Sequence, residues 1–183
     1  MRLFIAINFP AEIKAAITKI RDRIKESSFR GNFTLDDNLH LTLVFLGECD
    51  NRQSDAIRTV MDETIFSEFT LTFDKVGYFK RSGGNIWWAG LHDNNPLSAL
   101  QADLIRRLSQ KGFVLENRKY TPHVTIGREV KTCAGLVLRE IPPVSFSVKS
   151  IELMKSERLH GKLVYMPIYS KQHLTQIPKY INH

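Results

Sequence analysis

Two short stretches of this 183-residue chain have the composition of a reactive site: His40-Leu41-Thr42-Leu43 and His123-Val124-Thr125-Ile126. Both are His-Φ-Thr-Φ with Φ aliphatic. On a strand, side chains two apart share a face, so each stretch offers an imidazole and a hydroxyl side by side. The intervening Leu41, Leu43, Val124 and Ile126 then point into a core. One such tetrapeptide is a weak signal, because a lone histidine on a strand is most often a satisfied polar residue. Two of them, 83 positions apart on strands that each follow a strand and a helix, form a matched pair.

Two imidazoles facing one cleft suit general acid–base chemistry, since an ordinary pKa near 6.5 leaves one neutral and the other protonated around neutral pH. In-line displacement at phosphorus needs that combination, with a proton removed on one side and delivered on the other. Threonine hydroxyls can donate to the non-bridging phosphoryl oxygens. No cofactor is called for, and no His/Asp cluster has metal-ligand spacing, so no metal is expected.

The paired motifs resemble those of the two-histidine (2H) phosphoesterase superfamily, and specifically the bacterial and archaeal RNA 2′,3′-cyclic phosphodiesterases. The similarity extends to RLFIAI at 2–7, DNLHLTLVFLGE at 37–48, IWWAGL at 86–91, TPHVTIGR at 121–128 and LMKSERLHGKLVY at 153–165. The resemblance implies a bilobal α+β fold of two largely antiparallel sheets with outer helices, in pseudo-twofold arrangement around a central cleft. It implies hydrolysis of a terminal 2′,3′-cyclic phosphate to a 2′-phosphomonoester. By position, His40 corresponds to the proton donor to the leaving 3′ oxygen and His123 to the base that activates water. Thr42 and Thr125 correspond to the phosphate-binding hydroxyls. The partners implied are RNA ends or nucleotides bearing a 2′,3′-cyclic phosphate.

Other residues carry two readings each. Arg128 is either a fixed cation on phosphate or a solvated arginine. Tyr120 either stacks on a base or closes a strand end in the core; Phe4 and Tyr165 raise the same question. Trp87 and Trp88 are adjacent, so one faces the core and the other the opposite side. Lys80, Arg81, Arg118 and Lys119 are a backbone-tracking patch or scattered surface charge. His92, His160, His173 and His183 stand outside any His-x-Thr context, and Gly161 is read as a turn residue.

The elements that must hold these residues follow from periodicity. Leu3–Phe9 reads as a strand covered on both faces, and Ile13, Ile17, Ile20 and Ile24 mark a helix after Pro10. Residues 27–38 read as a loop and 39–46 as a strand. Asp50 with Gln53 caps a second helix bearing Ile57, Val60, Met61 and Ile65. Phe69, Leu71 and Phe73 alternate as a strand, paired through a Ser82–Asn85 turn with 86–91. Asn95-Pro96 opens a third helix that Gly112 closes. Strands follow at 120–128, after a loop ending in Pro142-Pro143, and at about 163–169. The order β-α-β-α-β-β-α-β-β-β is that of an α+β protein. Residues 1–183 are expected to form a single two-lobed domain.

Composition bounds the rest. A 43% hydrophobic content supports a sizeable core and excludes a disordered tail or disulfide-stapled miniprotein. The formal net charge of +7 favours a polyanionic partner. Cys49 and Cys133 form neither a CxxC pair nor a disulfide framework, which points to a cytoplasmic setting. No membrane association is expected, since no apolar run reaches the ~18 residues a span needs. A monomer is expected. Rival functions are a 2H enzyme on another nucleotide (an ADP-ribose cyclic phosphate or a 2′,5′-linked oligonucleotide) and a non-catalytic basic RNA-binding domain.

Overall fold

The computed structural model describes residues 1–116, 119–133 and 140–174. Nine strands and three helices appear there, in two antiparallel sheets. The four-stranded sheet has the order β3-β1-β8-β9, from His40–Glu48, Arg2–Asn8, Ser150–Leu159 and Lys162–Gln172. The five-stranded sheet has the order β2-β6-β5-β4-β7, from Ser28–Phe33, His123–Thr132, Asn85–Leu91, Phe69–Phe79 and Glu140–Val148. The expected α+β architecture is the one observed.

The repeat seen in the motifs is a repeat of structure. In one half β1, a 16-residue helix α1 (Ala11–Glu26) and, after the intervening edge strand β2, β3 follow in order; in the other, β5, a 16-residue helix α3 (Asn95–Gln110) and β6 do so. Each pair of strands is antiparallel, with His40 opposite Asn8 and His123 opposite Gly90. The helices are exchanged between the halves: α1 packs on β2, β6 and β7, and α3 packs on β3. Each histidine-bearing strand is thus backed by the other half's helix. Ile13, Ile17, Ile20 and Ile24 are the buried stripe of α1, and Leu97, Leu100, Leu104 and Leu108 that of α3. Complete burial of each such side chain stabilises the fold by roughly 1.5–3 kcal/mol. The second helix, α2 (Asn51–Glu63), carries the expected Asp50–Gln53 capping box.

Three local expectations are corrected, and one strand is added to those expected. Residues 28–33 are not loop but the edge strand β2; exposed Phe29 and Arg30 bury nothing, so the strand has no hydrophobic signature and is held by its pairing with β6. Ile65 lies beyond Thr64, the C-cap of α2, and is 69% exposed. Pro142-Pro143 sit inside β7, an edge strand paired only to β4, with a register irregularity opposite Phe73 and Lys75; an edge accommodates residues that cannot donate. Residues 150–159 form β8, whose consecutive buried Leu153 and Met154 interrupt the alternation that betrays a strand. The β8–β9 turn uses His160 (φ 48°) and Gly161 (φ 79°), the pair of positive φ values of a two-residue hairpin loop.

Candidate active site

Both motifs line a single cavity of about 470 Å³ between the sheets. His40 and Thr42 enter it from β3, His123 and Thr125 from β6, and the aliphatic residues between them are buried in the core. The strand parity expected from the sequence holds. A smaller cavity of about 300 Å³ adjoins it and shares Thr42, Phe45, Glu116 and His123.

The imidazoles are oriented the same way. His40 Nδ1 lies 2.7 Å from the carbonyl oxygen of Asn38, and His123 Nδ1 lies 2.7 Å from that of Thr121. A carbonyl oxygen only accepts, so in each ring Nδ1 carries the proton and donates it. In the neutral ring, Nε2 is then the basic nitrogen. His40 Nε2 is 3.0 Å from Thr42 Oγ1 and accepts the threonine proton while the imidazole is neutral. When His40 is charged that bond reverses, and the Thr42 hydrogen becomes available to a ligand.

The surroundings of His40 are apolar on two sides. Phe4 approaches its ring with centroids 4.8 Å apart, and Tyr165 meets it edge-on at 5.0 Å. Phe4, Ala6 and Met154 form a small buried cluster with Tyr165 packed against it, which explains why β1 is apolar on both faces. Burial pulls the His40 pKa down to about 4, with the electrostatic influence of Arg128, His123 and Lys14 adding to the effect and the Asn38 carbonyl opposing it. Without a ligand, His40 is neutral at neutral pH. His123 is buttressed differently, by Phe79 edge-on at 5.2 Å, and Phe79 in turn leans on Trp88 at 5.6 Å. Trp88 lies across Gly77 and Gly90, where any Cβ would come closer to the indole than van der Waals contact allows. Trp87 is the core member of the tandem, at 3% exposure.

A bulge falls at the fourth residue of each motif. Ile5 and Ala6 pair with Val44 and Thr42, leaving Leu43 extra; Trp87 and Trp88 pair with Gly127 and Thr125, leaving Ile126 extra. The added residue resets the alternation, so that Phe45 and Arg128, each two positions further on, turn to the same face as the histidines and line the cavity. Arg128, one of the two expected auxiliary contacts, is therefore in the cleft with Arg2 and Arg158. Tyr120 is placed differently. It lines the smaller cavity, packs against the core, and its hydroxyl donates to the Thr42 carbonyl at 3.0 Å, tying the segment before β6 to β3. Burial raises its pKa, so it remains a donor. Arg81 and Lys119 meet at the smaller cavity while Lys80 is exposed and outside it; Arg118 and His183 lie outside the described residues.

Asn38, Thr34, Phe45, Phe79 and Arg158 also belong to the site and were not singled out from the sequence. Phe45 is the structural counterpart of Arg128, but the bulge that turns each into the cleft leaves no mark in HLTLVF or HVTIGR.

A family model of the 2′-5′ RNA ligase superfamily matches residues 9–159. The chain belongs to that superfamily. Among curated relatives, the RNA 2′,3′-cyclic phosphodiesterase of Thermotoga maritima is 31% identical over 180 residues, covering 94% of this chain and 95% of the relative. That of Escherichia coli K12 is 32% identical over 173 residues, covering 91% and 93%. The crystal structure of E. coli LigT complexed with 3′-AMP superposes with a TM-score of 0.84 at 30% identity, covering 95% of this superfamily member and 98% of LigT. No helix among the described residues is long and apolar enough to cross a membrane.

Proposed function

We propose that this protein hydrolyses terminal 2′,3′-cyclic phosphates of RNA to 2′-phosphomonoesters, with residues 1–183 acting as one two-lobed unit. The observation that carries the reading is the duplicated constellation: two imidazoles, each with Nδ1 committed to the carbonyl two residues upstream, and two threonines in one cavity. Relatives covering nearly the whole chain bear the name RNA 2′,3′-cyclic phosphodiesterase.

With the cyclic phosphate between the motifs, Thr42 and Thr125 donate to its non-bridging oxygens and Arg128 balances its charge. His123 Nε2 takes a proton from the attacking water while the new P–O bond forms. The P–O3′ bond opposite breaks, and the departing O3′ takes a proton from His40 Nε2. Because burial keeps His40 neutral in the empty cleft, the donor role requires it to take up a proton together with the anionic substrate. The anion supplies the compensating charge, and His40 protonation frees the Thr42 hydrogen for the phosphate. Proton uptake and phosphate binding are then one event.

Both motifs come from one chain, so the site is complete in a monomer. The cysteines are free, one buried and one exposed, which fits the cytoplasm. The test is hydrolysis of 2′,3′-cyclic nucleotides and cyclic-ended oligonucleotides in EDTA, with the product isomer identified by phosphorus NMR. The 2′-phosphate product is expected, and His40→Ala should lower turnover by on the order of 10²–10⁴ while retaining affinity. Turnover restricted to an ADP-ribose cyclic phosphate or a 2′,5′-linked oligonucleotide would move the substrate elsewhere within the superfamily. RNA affinity without any turnover would leave a binding domain.

A further inference from the structure

The backbone carbonyl of each motif threonine accepts a hydrogen bond from a hydroxyl on the segment leading into the other motif. Tyr120, three residues before His123, donates from its hydroxyl to the Thr42 carbonyl at 3.0 Å. Thr34, six residues before His40, donates from Oγ1 to the Thr125 carbonyl at 2.9 Å. We propose that Thr34 and Tyr120 form a reciprocal clasp that sets the separation of the two imidazoles. Both are then positioning residues for the paired proton transfers, an inference that rests on the phosphodiesterase reading of the same cleft.

The motifs need such a clasp because they belong to different sheets. β3 is the edge of one sheet and β6 lies between β2 and β5 in the other, so no ladder among the described residues joins them. Backbone pairing keeps His40 beside Thr42 and His123 beside Thr125, yet leaves the distance between the two pairs to packing. Apolar packing is non-directional and tolerates small slides. A hydroxyl on a carbonyl is directional, and here one such bond borders each cavity, Thr34 the larger and Tyr120 the smaller. The Thr34 anchor is reinforced from both sides. Its backbone N–H donates to the Ile126 carbonyl at 3.1 Å, and Arg21 donates to its own carbonyl at 2.7 Å. The segment that ends at His40 thus begins pinned to β6. Tyr120 packs against the core, and burial keeps its hydroxyl protonated as a donor. In-line displacement requires both Nε2 atoms to reach the reacting oxygens in one step, and a misplacement of about 1 Å costs on the order of 10²-fold. A slackened clasp therefore weakens the chemical step more than it weakens binding.

Thr34→Val and Tyr120→Phe remove the hydroxyls and keep the shapes. Each should lower kcat for 2′,3′-cyclic AMP by about tenfold, with a smaller rise in KM. Thr34→Ser retains the hydroxyl and should keep the wild-type rate. A nitrophenyl ester of a nucleoside 2′-phosphate separates positioning from a structural role, because its leaving group needs no acid and only the base must be in place. On that ester the Val and Phe variants should lose less than about threefold. Equal losses on the two esters, or no loss on either, would overturn the clasp and leave the phosphodiesterase reading standing. Where the wild type refuses the nitrophenyl ester, or turns over neither, calorimetric binding of inorganic phosphate decides the clasp; turnover of neither also ends the phosphodiesterase reading. An anion bridging both motifs should bind the Thr34→Val/Tyr120→Phe double variant about tenfold more weakly than the wild type. Unchanged phosphate affinity would remove the clasp.

Discussion

His40 donates from Nδ1 to the carbonyl oxygen of Asn38 at 2.7 Å, and Asn38 is itself pinned to the neighbouring hairpin. The Asn38 amide donates to the Leu163 carbonyl at 2.8 Å, and its side-chain oxygen accepts from the Tyr165 backbone N–H at 3.2 Å. With 8% exposure it is one of the few buried polar residues among the described residues. It connects the 3₁₀ turn Asp36–Asn38, just ahead of β3, to β9, and so fixes both the donor-side imidazole and the Tyr165 ring at its edge. On the other side, Arg21 ties down the same turn by bonding to Asp36 and the Thr34 carbonyl.

Asn38→Ala should therefore lower kcat by about tenfold with little change in KM, since it loosens the orientation of His40 without touching substrate. Asn38→Asp keeps the Tyr165 contact but faces a carboxylate toward the Leu163 carbonyl and places a negative charge near His40. Its pH–rate profile should shift, with the His40 pKa raised. Loss of activity with an unmoved pH profile in Asn38→Asp would reduce Asn38 to a fold-stabilising role.

The buried, neutral His40 makes a thermodynamic prediction. Its folded pKa of about 4 lies below the ordinary 6.5, so the unfolded chain binds a proton that the folded one refuses. The stability contributed by neutral His40 is complete above pH ~6.5 and is lost as pH falls toward 4, by on the order of 3 kcal/mol at most. His40→Gln, which has no charge to bury, should show a shallower decline of urea-unfolding free energy across that window. Identical slopes for the two proteins would mean His40 is not held neutral.

The ionic contribution is separable from the chemical one. Arg2, Arg128 and Arg158 line the larger cavity, and the chain carries a net +7. For a cyclic-ended oligonucleotide KM should rise steeply with salt, as flanking phosphates release counterions, whereas a cyclic mononucleotide should respond weakly. Arg158→Gln should flatten the oligonucleotide slope. Equal slopes for the two substrates would favour a small-molecule ester as the natural one.

What the sequence disclosed and what it hid have separate physical causes. Periodicity revealed α1, α2, α3 and the motif strands because each buries one stripe or face, and the His-Φ-Thr-Φ parity placed all four polar side chains in the cavity where the structure puts them. The edge strand β2 was illegible because its pairing is carried by backbone, which leaves no pattern in side chains. Phe45 was illegible because a bulge reverses the expected parity: read as a regular strand, Phe45 falls on the face opposite His40 and Thr42. The low pKa of His40 was out of reach for another reason. It depends on Phe4 and Tyr165, which are 36 positions before it and 125 after it in the chain.

The division of labour between the imidazoles can be tested through the leaving group. In-line displacement puts the attacking water and the departing 3′ oxygen on opposite sides of phosphorus, so a single imidazole cannot serve both in one step. Each His→Ala variant should cost on the order of 10²–10⁴ in kcat/KM. The double variant should be little worse than either, since groups acting as a unit are not additive. A substrate whose leaving group is a nitrophenolate needs no proton, so a nitrophenyl ester of a nucleoside 2′-phosphate should rescue His40→Ala far more than His123→Ala. The resting state of His40 adds a second readout. If it charges only as the anion binds, inorganic phosphate should bind with proton uptake in calorimetry run in buffers of different ionisation enthalpy, and His40→Ala should lose that uptake. The acid and base limbs of kcat/KM belong to the coupled pair rather than to either ring, so the rescue pattern and the proton count carry the assignment. Rescue of His123→Ala by the nitrophenyl ester, with proton uptake intact in His40→Ala, would exchange the two roles and make the buried, neutral His40 the base.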